Sequence, residues 1–225
     1  MVLFALAMLA GCAASHLPRY PAMSYDAAVV TMRDKAFGQF TLQGWLTLDD
    51  GSRGVTLDVA LVVEQPSRVR LRAWKLGQAV FDLTVREDGV YIFSGRDGIA
   101  NQDLLKLSDS IRSWVKLLAP IDDSAELFET TKEAFETSRL IDGVTVKTRI
   151  DRNSLTVTDH AIVVNGGTRA TIVCKNYTLF ESRPWPTRIE ISEQGRSIVL
   201  RTRNIIGVTK SSAFDPPKRA TQVRQ

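Results

Sequence analysis

Gln39-Phe-Thr-Leu-Gln-Gly-Trp-Leu-Thr-Leu48 alternates strictly. Phe40, Leu42, Gly44, Leu46 and Leu48 fall on one face, and Gln39, Thr41, Gln43 and Thr47 on the other. A period of two is that of a strand with one buried side, because successive side chains point to opposite faces of a sheet. Asp49-Asp50-Gly51-Ser52 is a turn cluster, after which Val55, Leu57, Val59, Leu61 and Val63 repeat the pattern. Beyond Pro66-Ser67, Val69, Leu71 and Ala73 alternate with Arg68, Arg70 and Arg72, which places the three arginines on a solvent face. Gly77 turns the chain into Ala79, Phe81, Leu83 and Val85, and Asp88-Gly89 is a hairpin signal leading to Val90-Tyr-Ile-Phe93. Five strands on short turns make an antiparallel meander with one apolar face, as a sheet covered on one side requires.

Helical periods flank the meander. Ser24 and Asp26 are N-cap residues for a helix over roughly Tyr25 to Phe37, ended by Gly38. After the Gly-rich loop Ser94 to Gly98, the residues Leu104, Leu107, Ile111, Trp114 or Val115, and Leu118 recur at three and four, an amphipathic stripe stopped by Pro120. Ser124 to Phe135 reads as a second, weaker helix. Strand patterns then resume over 144–150, 155–164, 169–180, 187–192 and 197–208, with Pro184 to Pro186 among the separating turns. The tail from Phe214 reads as a docked edge segment. The expected fold class is therefore α+β: a strongly curved antiparallel sheet forming an open half-barrel, with helices over its concave face.

The N-terminus carries a separate signal. The apolar run Val2 to Ala10 closes on Leu9-Ala-Gly-Cys12, which resembles the lipobox of a bacterial lipoprotein. Small residues at Ala10 and Gly11 let a peptidase reach the backbone beside Cys12, and the Cys12 thiol takes the diacylglycerol. The run is far shorter than the ~20 residues that a membrane-spanning helix needs. Its one departure is that Met1-Val2 carries no Lys or Arg; the alternative is an apolar core segment in which Cys12 is merely buried. The expected organisation is a signal peptide over 1–11, a tether over 12–24 and a single domain over 25–225, anchored to a membrane through acyl chains such as palmitate rather than spanning it.

Composition narrows the function. The chain has 225 residues, 44% hydrophobic and 24% charged, enough for one sizeable core without low-complexity tracts. The cysteines are Cys12 and Cys174, so lipidation of Cys12 leaves Cys174 without a disulfide partner, and an inert buried thiol is expected there. The net charge of +4 is spread through the strand patterns, not gathered in the basic stripe with interleaved aromatics that nucleic acid demands. Its sign suits weak attraction to anionic headgroups.

Catalytic constellations are thin. His16 lies in the tether and His160 in a strand pattern beside Thr158, short of the three or four ligands that zinc requires. There is no Gly-x-Ser-x-Gly, no His-Glu-x-x-His and no phosphate-cradling Gly loop. Asp49-Asp50 and Asp122-Asp123 read as solvated turns. The expectation is a protein that is not an enzyme and needs no metal or cofactor.

The strand Pro66-Ser-Arg-Val-Arg-Leu71, the Leu76-Gly77 turn and Phe81-Asp-Leu83, taken with the lipobox and the 25–37 helix, resemble the LolA/LolB-like superfamily of lipoprotein-sorting factors and their lipoprotein relatives. Members show Pro-x-x-(Ile/Val)-Arg-Leu followed by a Leu-Gly turn, matched here by Pro66, Val69, Arg70, Leu71, Leu76 and Gly77. The resemblance implies an open half-barrel with a helical lid that binds acyl chains of lipids or lipoproteins. It also implies a lipid-anchored, periplasm-facing place at a bacterial outer membrane, and Ala13 after the cysteine fits outer-membrane export. This chain departs from the membrane-anchored sorting receptor, whose apolar projecting loop has no plain counterpart at Trp74 to Gly77 or at 94–102.

The expected ligand cavity is lined by Leu57, Val59, Leu61, Leu71, Phe81 and Leu83 from the sheet and by Leu104, Leu107, Ile111 and Trp114 from the helical lid. A filled core has the same sequence pattern. The alternative is accordingly a tethered interaction scaffold of an envelope or secretion assembly, with Trp45, Trp74 and Trp185 as contact residues.

Overall fold

The computed structural model describes residues 17–64, 67–95, 100–118, 125–141, 143–193, 195–207 and 210–224; the side chains at 112–115, 118, 211 and 224 are outside that description. Cys12, the apolar run before it, His16, Pro66 and Pro120 also lie outside the described residues.

The period-two stretches form strands β1 (Gln39–Asp49), β2 (Gly54–Glu64), β3 (Arg68–Lys75), β4 (Gln78–Arg86) and β5 (Gly89–Ser94). Their pairing is antiparallel and in sequence order. Leu76 and Gly77 turn β3 into β4 at φ 50° and 79°, left-handed backbone that a glycine supplies at no steric cost. Helix α1 (Tyr25–Asp34) precedes the meander, with the Ser24 hydroxyl accepting from Ala27 N–H as the expected cap. It ends at Lys35, three residues before Gly38. Helix α2 (Asn101–Leu118) follows the meander.

The second meander is longer than expected. It comprises β6 (Glu126–Thr130), β7 (Ala134–Ile141), β8 (Val144–Asp151), β9 (Thr156–Val164), β10 (Gly167–Phe180), β11 (Arg183–Glu193) and β12 (Arg196–Ile206). A 3-10 turn at Ser211–Phe214 and a short strand β13 (Thr221–Arg224) complete the chain. The segment expected as a weak helix over Ser124 to Phe135 is instead β6 and the start of β7, because 126–130 completes its hydrogen bonding along the edge of β7. Pairing across strands overrides a poorly defined helical stripe.

Pro184 and Pro186, expected in a turn, lie within β11. They face β10 there, whereas the pairing of β11 with β12 begins only at Arg188. A proline is tolerated in such a stretch because no ladder bond is asked of its missing N–H on the open side.

The described strands make one unclosed, antiparallel, curved sheet in the order β13-β5-β4-β3-β2-β1-β12-β11-β10-β9-β8-β7-β6. Its seam is β1 against β12, where the two meanders meet. There the register shifts between Gln43 and Gly44, and a Cβ built on Gly44 would stand 1.9 Å from the Arg201 carbonyl oxygen. Only glycine permits that approach.

Two apolar clusters follow. The larger joins the inward residues of β1 to β5, such as Phe40, Leu42, Leu61 and Val85, to Leu104, Leu107, Ile111 and Leu117 of α2 and to Ile189 and Leu200. The smaller packs Ala28 and Val29 of α1 against Phe135, Ile150 and Leu155. Arg139 on β7, 7% exposed, donates to the Lys116 carbonyl near the end of α2, where a cation suits the helix dipole.

The other face of β3 differs from its expectation. Arg70 is not a solvated residue: its side chain is 11% exposed and bonded to Asp82 on β4. The C-terminal segment covers it, with Arg70 Nη1 donating to the Ala213 carbonyl and Phe214 buried beneath the Arg68 guanidinium, 4.6 Å from the ring centre. A residue 143 positions away thus turns half of this arginine face into a small second layer.

Candidate functional site

Nine of the expected cavity residues are brought together. Leu57, Val59, Leu61, Leu71, Phe81, Leu83, Leu104, Leu107 and Ile111 are all buried and share the larger cluster. The side chain of Trp114 lies outside the described residues. None of the nine is among the residues that line the open space between α1 and β9 to β11.

That space is a cavity of about 120 Å³ between α1, the start of β1 and strands β9 to β11. Met32 and Phe37 close it from the helix side, Phe40 and Leu117 from the larger cluster, and Val157, Tyr177 and Trp185 from the far sheet. Phe37, Phe40 and Trp185 form an edge-to-face aromatic trio, with ring centres 4.9 to 5.8 Å apart. The Trp185 indole N–H donates to Thr202 Oγ1 at 3.0 Å, which fixes the ring while its apolar body faces the cavity. Arg183 lies over Phe37 at 5.1 Å and donates to the Ala36 carbonyl, holding the chain after α1 in place.

The cavity has a polar inner end. His160 Nδ1 and Thr148 Oγ1 are 2.9 Å apart, and both side chains are buried. Burial, aided by the Arg139 cation, lowers the His160 pKa to about 3, so the ring is neutral at physiological pH. Tyr177 donates its hydroxyl to the Val157 carbonyl at 2.6 Å, and burial raises its pKa well above the usual value. Burial likewise pushes the Cys174 thiol up to about 11, so the thiolate needed for reactivity is absent at neutral pH. At the mouth, the Lys35 amine hydrogen-bonds the Tyr20 hydroxyl.

The sequence reading does not assemble Met32, Phe37, Phe40, Tyr177 and Trp185 into one wall, because they come from α1, the turn after it, β1, β10 and β11. The signal that could have flagged them is local: Phe37 and Phe40 bracket Gly38, and Trp185 stands between two prolines. Of the three other tryptophans weighed as contact residues, Trp185 is 4% exposed and Trp45 39% exposed, while Trp74 is half-buried. Among the described residues no cluster of His, Cys, Asp and Glu is placed to hold a metal ion. No described helix is long and apolar enough to cross a membrane.

No family model matches the sequence, and no curated protein matches it. Solved structures do match. A LolA superfamily protein from Nitrosomonas europaea aligns over 86% of this chain and 97% of its own, with 10% identity and a TM-score of 0.58. An outer membrane lipoprotein-sorting protein domain from Vibrio parahaemolyticus aligns over 83% and 94%, with 10% identity and a TM-score of 0.56. A DUF1329 family protein from Desulfovibrio piger aligns over 84% and 95%, with 7% identity and a TM-score of 0.62. At such identities the likeness is one of fold, and the fold of this chain is similar to that of LolA-like proteins.

Proposed function

We propose that this protein is a lipid-anchored, periplasm-facing component of a bacterial outer membrane that holds acyl chains of a lipid or lipoprotein noncovalently inside its half-barrel. The observation that carries the reading is the aromatic-walled cavity between α1 and β9 to β11, a concave apolar space of the kind that takes hydrophobic ligands. The name of the Vibrio parahaemolyticus neighbour, a lipoprotein-sorting domain, supports the same class. Cys12 is the anchor, and no bond chemistry is involved.

At about 120 Å³ the cavity lies below the ~300–1,000 Å³ common for ligand sites, so a full chain enters by displacing the helices from the concave face. Helix α1 is suited to this: of its ten residues only Ala28 and Val29 are buried, and Val30 is 56% exposed. Opening there joins the cavity to the face built from Leu57, Val59, Leu61, Leu71, Phe81 and Leu83. The stripe Leu104, Leu107, Ile111 and Trp114 of α2 forms the other side of the lid.

Native mass spectrometry of protein made without residues 1–11 tests the binding. Co-purifying lipid, lost on Phe37→Asp, is the expected result. A clean monomer mass that takes up no added fatty acid, and shifts instead with a protein partner, would point to a filled scaffold. Labelling with a tagged fatty acid in wild type and Cys12→Ser tests the anchor, and label retained by the variant rules it out.

A further inference from the structure

The sheet carries a second concavity on its outer face, separate from the interior cavity. It has a volume of about 280 Å³ and lies between Trp74 at the end of β3, Phe93 on β5 and the segment 217–219. Arg72, Lys218 and Arg219 stand around it, and Asp82 is the carboxylate in its wall.

Asp82 does not neutralise this set. Both its oxygens are taken by the Arg70 fork, at 2.9 and 2.7 Å. Arg72 approaches the same carboxylate only through Nε, at 3.3 Å, and stays 46% exposed, so its terminal nitrogens are not held in a fork. Lys218 and Arg219 are exposed and meet no carboxylate among the described residues. Asp215, on the same segment, is exposed and does not line the space. Among the described residues that line the space the balance is therefore cationic, with Arg72, Lys218 and Arg219 set against Asp82. Exposed Asp58 lies opposite Trp74 on the neighbouring strand and does not line it. Exposed cations converging on a low-dielectric wall attract an anion more strongly than the same charges spread over a surface.

The walls add a second requirement. Trp74 is stacked under the Arg72 guanidinium at 5.1 Å, and Phe93, Ala79 and Pro217 supply apolar surface next to it. A bare ion would leave that surface wet. We propose that this outer concavity binds a phosphate monoester: Arg72 and Arg219 hold the phosphate with forked hydrogen bonds, Lys218 adds a point charge, and the organic part lies on Trp74 and Phe93. The ester is either the headgroup of an anionic membrane lipid or a soluble phosphate. Docking of a headgroup would set the outer face of the sheet against the membrane and leave the interior cavity free.

Calorimetric titration of the full chain in non-ionic detergent separates the cases. The probes are dihexanoyl phosphatidic acid, glycerol 3-phosphate and the phosphate-free dihexanoylglycerol. Both phosphates are expected to bind, with affinity falling as salt rises, and to weaken at least about tenfold in Lys218→Ala/Arg219→Ala. Trp74→Ala weakens both phosphates, phosphatidic acid more than glycerol 3-phosphate, because its larger organic part covers more of the ring. Binding of glycerol 3-phosphate with equal strength identifies a soluble ester, and a clear preference for phosphatidic acid identifies the headgroup. If neither phosphate binds, or if the double variant binds both as well as wild type, the site is disproved. Should the double variant not fold, Arg219→Ala alone carries the comparison. Dihexanoylglycerol reports on the interior cavity, so its uptake or failure bears on the acyl-chain reading and not on this site.

Discussion

Arg70 on β3 and Asp82 on β4 form a two-point ion pair, Nε to Oδ1 at 2.9 Å and Nη2 to Oδ2 at 2.7 Å, roofed by the C-terminal segment. Arg72 reaches the same carboxylate from a half-exposed position. The two arginines sit two residues apart on one strand, and burial together with the fork on Asp82 and the bond to the Ala213 carbonyl sets Arg70 apart energetically. Removing Arg70 leaves a carboxylate under the roof without its fork, so Arg70→Ala is expected to cost about 3 kcal/mol. Arg72→Ala, at a screened position, should cost under about 1 kcal/mol. Urea midpoints of the two variants decide this, and equal losses would mean that the roof is not closed in solution.

Gly44 holds the seam between the two meanders. With the Arg201 carbonyl 1.9 Å from where a Cβ would be, Gly44→Ala must push β1 from β12. The expected loss is about 2 kcal/mol or more, as for other overpacked sites. Gly54→Ala, where nothing lies within 4 Å, is the control and should change stability little.

His160 gives the fold an acid limit. Its folded pKa of about 3 lies below the unfolded 6.5, so its share of stability is fully present above pH 6.5 and is lost as pH falls towards 3. The slope contributed is at most about 1.4 kcal/mol per pH unit. His160→Gln, keeping a polar atom for Thr148, should flatten the pH dependence of the urea midpoint between pH 6.5 and 4. An unchanged slope would mean that the ring is solvated.

Cys174 should be silent while the protein is folded. In a Cys12→Ser background it is the remaining thiol, and its pKa of about 11 with burial predicts negligible reaction with a thiol reagent at pH 8. Full reaction is expected once urea unfolds the chain. Fast labelling of the native protein would show that the cavity beside it opens readily.

The sheet was legible because its signal is local. Each alternation over β1 to β5 and β8 to β10 repeats every two residues, and Ser24, the Leu76-Gly77 pair and the 104–111 stripe mark their elements within one turn of chain. The misread stretches lack such a signal. Leu127, Phe128 and Phe135 fit a helical stripe as well as an edge strand, and only the neighbouring β7 decides between them. Pro184 and Pro186 look like a turn until the open side of β11 is seen.

By itself, then, the sequence determined a one-sided antiparallel sheet, an amphipathic α2 and an inert Cys174, since each follows from periodicity or from what one residue type tolerates. The partner of His160, by contrast, is Thr148 on the neighbouring strand and not the Thr158 beside it in sequence. Tertiary structure decided where the space is. Whether Leu57 and Leu71 line a cavity or fill a core depends on how closely facing layers approach, a distance that no period encodes. The fold buries the nine described residues of that expectation in one cluster and places a cavity beside Phe37, Phe40 and Trp185. It also folds Ala213 and Phe214 over Arg68 and Arg70, turning an arginine stripe that reads as solvated into a buried ion pair.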